Sequence, residues 1–438
     1  MSLEILGLVL VGILFVVILA GFPISFTLIF LGMAFGYVGI GERVFYLMTF
    51  QYFSTMMEVV LAAVAMFTFM GYVLENAGLM SRLFHAIQVL CGRMHGSLYV
   101  GTIFTATLFA AATGIVGAAV TIIALMAGPV MKKRGYDTAL SAGTICAGGT
   151  LGILIPPSVM LVVMGPTLQV SIARLYAAAI LPGLLLGALY VGYTLTRTWL
   201  NPKLGPPLPP EELDVSTGYL IRELAIGLFP PVVLIMATLG AIISGWATPT
   251  EGAALGCAGA IAVTATHRRL TFAILKNATF RTAETTSMVM ILLAASTFMG
   301  SVFSAFGSPQ FLADTLLAWD IAPGLLILSI LVVCFILGWP LEWVPIVVII
   351  VPIFLPLLHA MNVDMIWFSI LLAVTLQTCW LSPPVALSAY YLKGVMPSWK
   401  LWDIYRGMLP FMILQMGCVL VLYLFPEIVL ALPNLWYN

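Results

Sequence analysis

Charge is what this chain has least of. Only 8% of its 438 residues are Asp, Glu, Lys or Arg, against about 25% in soluble domains. With 62% hydrophobic residues, most of its surface must face lipid or protein, which makes it a polytopic membrane protein. Lys plus Arg and Asp plus Glu balance at 17 each, so net charge gives no case for a nucleic-acid partner. Cysteine is scarce and scattered. Cys91, Cys146, Cys257, Cys334, Cys379 and Cys418 show no CxxC or Cys/His spacing, which excludes a disulfide framework and leaves them as small packing residues. There is no GxxxxGK[ST], so ATP does not enter. HExxH and GxSxG are also missing, and His85, His95, His267 and His359 fall near predicted interfaces, so an intramembrane enzyme has no candidates. A channel reading lacks a filter-like motif or an acidic ring. Met1-Ser-Leu-Glu4 carries no basic n-region and no small-x-small site follows it, so the first apolar run is expected to be retained as a helix.

What the chain does have is two proline pairs inside long apolar segments. In Gly148-Gly-Thr-Leu-Gly-Ile-Leu-Ile-Pro-Pro-Ser158, Pro156 and Pro157 lack N–H groups, which frees the carbonyls of Gly152 and Ile153. In Leu381-Ser-Pro-Pro-Val-Ala-Leu387, Pro383 and Pro384 free Cys379 and Trp380 in the same way. An unsatisfied carbonyl in hydrocarbon costs several kcal/mol, so such breaks persist only where protein or a polar cavity covers them. Two broken helices in corresponding halves point to a transporter's binding site.

Around these breaks the chain reads as all-α. Spans are expected at about 4–20, 22–40 and 56–75, then an interfacial amphipathic helix from Ser81 to His95. Ser97 to Met131 is too long for one crossing and is interrupted at Ala112-Thr-Gly-Ile-Val-Gly117, so it is predicted to be a re-entrant hairpin. A broken helix at 138–165 and a span at 172–197 follow. The Pro-rich stretch from Asn201 to Gly218 is expected to be a semi-extended linker. The order then repeats, with spans at 224–244, 249–266 and 284–304, an amphipathic piece at 308–322 carrying Asp314 and Asp320, a hairpin at 324–358, a broken helix at 365–392 and a last span at 407–430.

The domain reading is a first repeat at 1–200, a cytoplasmic linker at 201–222 and a second repeat at 223–438. Pro129, Asp137, Pro156 and Pro157 map at one constant offset onto Pro356, Asp364, Pro383 and Pro384, and Thr68-Phe-Met-Gly71 recurs as Thr297-Phe-Met-Gly300. Five crossings plus a hairpin per half make the halves inverted. With Lys132-Lys-Arg134 placed in the cytoplasm, alternation leaves only Arg43 and Arg174 of the 17 bases outside, and both termini are predicted to be periplasmic.

Half-helix N-termini suit a carboxylate, while freed carbonyls and hydroxyls suit Na⁺. The candidate ion ligands are Thr113, Gly114, Gly117, Thr150, Gly152 and Ser158 in the first half, and Gly338, Thr378, Cys379, Ser382 and Pro383 in the second. Pro156, Pro157, Trp339, Glu342, Trp380 and Pro384 are the candidate substrate contacts. The competing reading is structural. Pro-Pro can simply kink a helix with Ser and Thr bonding back to the backbone, and Glu342 can cap the returning half-helix. Glu75 and Glu284 fall near predicted helix ends, where an interfacial pair is the expected use.

Met131-Lys-Lys-Arg-Gly-Tyr-Asp137, the Gly148 to Ser158 stretch, Leu181-Pro-Gly183 and Leu381-Ser-Pro-Pro384 resemble the large membrane subunit of TRAP transporters, the tripartite ATP-independent periplasmic class, over essentially the whole chain. The resemblance implies an inverted-repeat, elevator-type member of the ion-transporter superfamily with two re-entrant hairpins and two broken helices. It implies Na⁺-coupled uptake into a bacterial cell across the inner membrane. The partners implied are a small four-helix membrane subunit, separate because this chain begins with its own first span, and a periplasmic binding protein that delivers a small organic acid. The tip Ala-Thr-Gly-Ile-Val-Gly and the ending Tyr-Leu-Lys-Gly-Val are similar to the branch associated with 2-oxo acids, mannitol or chloroaromatic acids.

Overall fold

The computed structural model describes residues 2–319 and 321–437, so Asp320 lies outside the described residues. Every regular element among them is helical. Among the described residues, six helices are long and apolar enough to cross a membrane: Val116–Lys133, Ile172–Leu200, Gly218–Ile243, Phe272–Ala305, Trp343–Ala360 and Leu401–Leu424. The number rises to eight if each bent pair is one span. Those pairs are Arg43–Met56 with Val59–Glu75, bent by 55°, and Thr138–Leu154 with Val159–Leu168, bent by 43°. The fold is that of an all-helical polytopic membrane protein.

Several helices begin earlier than hydropathy predicts, among them Thr217–Ile243 and Leu401–Leu424. Phe272–Ala305 runs for 34 residues, starting 12 before the expected span at 284. Lys276, Asn277 and Arg281 make its first turns polar, yet no Gly or Pro interrupts the chain before Gly300, so the helix has no reason to stop. Thr271 opens it by accepting from the Ile274 N–H. Likewise Arg43–Met56 precedes the bent Ala62–Glu75 helix.

The linker is less free than its composition predicts. Its backbone is tied to the base of the helices beside it. Gly96 N–H donates to Gly205, Leu208 N–H to Gly92, and Asp137 N–H to Leu204, whose carbonyl also takes the Tyr99 hydroxyl at 2.7 Å. Leu208 is buried. The amphipathic helix Leu79–Leu90 buries its apolar face, and its Arg82 pairs with Glu223 of Thr217–Ile243 at 3.2 Å.

Small residues set the closest packing. A Cβ on Gly407 would fall 1.8 Å from the Ala139 carbonyl oxygen, and one on Gly143 would fall 2.1 Å from that of Gly407. Leu401–Leu424 therefore lies backbone against backbone on Thr138–Leu154. On its other faces Thr138–Leu154 receives Ser97–Thr113 and Val116–Lys133. Gly152 is fitted to Ala110, and Gly149 to Val120. This helix is buried along nearly its whole length, which is why a clear amphipathic period is absent from its sequence.

Candidate functional site

The two helices Ser97–Thr113 and Val116–Lys133 are joined by Gly114 and Ile115. Gly114 is left-handed at φ +64°, a conformation that favours glycine, and its missing Cβ leaves room for the Pro157 carbonyl, which would otherwise be 3.1 Å away. The tip of the first pair thus meets the first proline break directly. Pro323–Leu337 and the helix from Trp343 are joined by a turn around Gly338, where a Cβ would fall 2.5 Å from the Cys379 Sγ. The second tip meets the second break. The returning helix contains a π-helical stretch, Ile346–Ile350.

Each break has its own local repair. Thr138–Leu154 starts on Asp137, which accepts from Leu140 N–H at 2.7 Å, and restarts at Val159 with Ser158 as cap. Met365–Gln377 starts on Asp364, which accepts from Ile366 and Trp367 N–H, then tightens into a 3₁₀ turn at Thr378–Trp380 and resumes at Leu387. Both Pro156–Pro157 and Pro383–Pro384 bonds are cis. The Ser158 hydroxyl donates to the Ile153 carbonyl, and the Ser388 hydroxyl donates to that of Trp380. The Gly152 and Cys379 carbonyls receive no such side chain among the described residues.

Between the tips and the breaks lies a cavity of about 480 Å³, closed on its far side by Ala62–Glu75 and Phe272–Ala305. Of the candidate ion and substrate contacts, Gly114, Gly117, Glu342 and Trp380 line it, as do Glu75 and Glu284, which were expected only as interfacial residues. Thr113 is buried beside it, its hydroxyl without a partner among the described residues, as is that of the lining residue Thr68. Glu342 precedes the helix from Trp343, but its side chain makes no cap hydrogen bond, so the capping alternative does not describe it.

The remaining candidates are placed elsewhere. Pro156, Pro157, Gly152 and Ser158 form the break behind the first tip. Thr150 bonds back to Ala147 at 2.8 Å and turns toward Gln415, 3.4 Å away. Thr378 bonds back to Thr375, and Ser382 to Thr378, both at 2.6 Å. Pro383 and Pro384 follow that turn, and the Pro384 carbonyl accepts from Tyr405 at 2.8 Å. Trp339 is partly exposed and packs edge-on against Phe335, outside the cavity.

Sequence reasoning missed the far wall and a cross-link. Tyr391 lies beyond the second break, stacks on Trp380 at 6.5 Å, and covers Gly117 of the first tip. Tyr72, Glu75, Arg281, Glu284 and Thr285 line the opposite side. Arg281 was expected only as one of the cytoplasmic bases. Its pairing with Glu75 at 3.3 Å agrees with an interfacial pair, yet both residues border the cavity. The signal available was the polar spacing of Arg281, Glu284 and Thr285 on one helix, with Glu75 on another, but only tertiary contact joins them.

The model for the DctM component of the tripartite ATP-independent periplasmic transporters matches residues 11–428. The chain is 29% identical over 380 residues to the 2,3-diketo-L-gulonate TRAP transporter large permease protein YiaN of Escherichia coli K12, covering 86% of this chain and 87% of that one. It is 30% identical over 368 residues to the isethionate TRAP transporter permease protein DctMQ of Oleidesulfovibrio alaskensis, covering 84% of this chain and 57% of that one. The crystal structure of the Alcanivorax borkumensis YdaH transporter shares the fold, with a TM-score of 0.63 at 16% identity over 88% of this chain and 89% of that one. This chain, a transport protein and not an enzyme, belongs to the DctM family of TRAP transporter large permeases.

Proposed function

We propose that the chain is the transmembrane permease subunit of a sodium-coupled, binding-protein-dependent importer of a small organic acid, working by an elevator mechanism in the bacterial inner membrane. The observation that carries this reading is the convergence of both tips and both breaks on one cavity walled by Ala62–Glu75 and Phe272–Ala305. In this reading the two hairpins, the broken helices and the helices packed on them move as one body. The fixed scaffold is built from the helices up to Glu75 and from Thr217 to Ala305.

The two halves, 1–200 and 223–438, are proposed to be inverted repeats joined by the cytoplasmic linker 201–222, with both termini periplasmic. Lys132-Lys-Arg134 at the base of the first hairpin supports this orientation. Substrate class follows from the relatives, one named for a sugar acid and one for a sulfonate. The small membrane partner is proposed from the same family, where one relative's name joins both letters, DctMQ, in a longer chain.

The donors present fit Na⁺ well. The unpartnered Thr113 hydroxyl and, at the two breaks, the Gly152 and Cys379 carbonyls are each neutral, hard oxygens, the type that suits a weakly charged cation. Each Na⁺ carried inward across the membrane would supply roughly 2.3 kcal/mol per 100 mV of potential. The test is uptake into proteoliposomes with the small subunit and binding protein present. Uptake should need an inward Na⁺ gradient and no ATP, and transport by this chain alone with K⁺ in place of Na⁺ would reject the reading in favour of a stand-alone carrier or channel.

A further inference from the structure

Arg281 is the positive group on the cavity wall, and the transport reading above leaves it without a task. Its Nη1 donates to both carboxylate oxygens of Glu75, each at 3.3 Å. The guanidinium carbon lies 5.2 Å from the centre of the Tyr72 ring, and the Tyr72 hydroxyl is 3.0 Å from Thr285 Oγ1. Glu75 and Tyr72, one turn apart on one helix, thus hold the head of an arginine carried by another helix.

The way Glu75 is used matters. A guanidinium braced between helices pairs two nitrogens with two oxygens in a fork. Here one nitrogen takes both oxygens, and the Nε–Nη2 edge has no protein partner among the described residues. The Arg281 side chain keeps 51% of its surface accessible, against 20% for Glu75. That free edge is the one that binds a planar carboxylate through two parallel hydrogen bonds. Glu284, one turn further along the same helix, and Glu342, from the second tip, also line the cavity, and neither forms an ion pair among the described residues. An anion in this cavity is therefore attracted only at Arg281, whose charge Glu75 partly offsets, and finds two further carboxylates at Glu284 and Glu342.

We propose that Arg281 recognises the anionic head group of the transported acid through its free Nε–Nη2 edge, while Glu75 and Tyr72 hold the guanidinium in position. The ligand class is a small organic carboxylate or sulfonate. This deepens the transport reading and rests on it. Arg281 belongs to the proposed scaffold, so the head group meets it only when the tips stand opposite this stretch of Phe272–Ala305, as they do here. It is a stationary contact, distinct from the donors that travel with the tips.

The test reads tryptophan fluorescence, since Trp343 and Trp380 both line the cavity. The full chain in lipid nanodiscs is titrated with pyruvate, 2-oxoglutarate and isethionate. The wild type should give a saturable change with at least one of them. Arg281→Lys keeps the charge and the pair with Glu75 but not the fork, and should weaken that binding at least tenfold. Arg281→Gln should weaken it as much or more, while Glu75→Gln, which keeps one oxygen to hold Nη1 and removes a negative charge from beside the anion, should change it by less than twofold. A purely structural ion pair gives the opposite pattern, with Arg281→Lys like wild type and Glu75→Gln like Arg281→Gln, and that result overturns the proposal. So does a wild type that responds to none of the three anions. Unchanged melting temperatures check that the variants fold. Binding indifferent to Arg281 alongside intact Na⁺-driven uptake rejects this inference alone, whereas Arg281-dependent binding without uptake rejects the transport reading alone.

Discussion

The Ser158 hydroxyl donates to the carbonyl of Ile153, five residues back, across the gap that Pro157 opens in its helix. Ser388 serves Trp380 in the same manner at the second break. Each break frees two carbonyls, and one of each pair is thereby satisfied by a serine. That leaves the carbonyls of Gly152 and Cys379, the two among the candidate ion ligands, without a side-chain partner among the described residues. The serine back-bonding and the oxygens proposed for the ion thus lie on neighbouring residues of each break.

Removing the serine separates the two roles. Ser158→Ala leaves the Ile153 carbonyl buried and unsatisfied and removes the cap of Val159–Leu168, so it should lower stability by about 1–3 kcal/mol. Thermal unfolding in detergent measures this. The Na⁺ dependence of uptake in the surviving protein should be largely retained, because the proposed oxygen is that of Gly152.

Replacing Pro156 and Pro157 together with Ala restores N–H donors to Gly152 and Ile153. Helix propensity gains about 3 kcal/mol per change, so the protein need not be less stable. Half-maximal Na⁺ for uptake should rise at least tenfold with normal membrane insertion. Transport with unchanged Na⁺ dependence would mean that the break is only a kink.

Gly114→Ala tests the tip. The left-handed φ costs an alanine about 1–2 kcal/mol, and its Cβ would press on the Pro157 carbonyl at 3.1 Å. Uptake should fall to background while the Gly394→Ala control, whose Cβ meets nothing within 4 Å, remains active.

Gly407→Ala tests packing instead of chemistry. Its Cβ would stand 1.8 Å from the Ala139 carbonyl, forcing Leu401–Leu424 away from Thr138–Leu154 at a cost of about 1–3 kcal/mol. A lower melting temperature is expected. Equal stability would show that the two helices separate freely.

Topology has its own measurement. Single cysteines at Lys133 and Trp436 should label from opposite sides of the membrane. Labelling from the same side would overturn the inverted arrangement.

The sequence by itself determined the membrane class, the helices and the places where they break. Apolar runs and the proline pairs act through the backbone within a few residues, so they are legible without the fold. Gly114, Gly117, Glu342 and Trp380, which line the cavity, could be singled out in this way because a tip or break marks itself locally. Hydropathy stopped short at 272–283, where polar residues continue a helix that nothing interrupts. Only the tertiary structure decided which faces meet. Thr150 turned to Gln415 and away from the break, Trp339 left the cavity, and Arg281 came to Glu75 from 206 residues away. In a chain this apolar, almost every helix face can bury itself against some other, so hydrophobicity does not select partners. Shape does: the fit of Gly152 to Ala110 and of Gly407 to Ala139 fixes the register, and the register brings the tips, the breaks and the polar wall around one cavity.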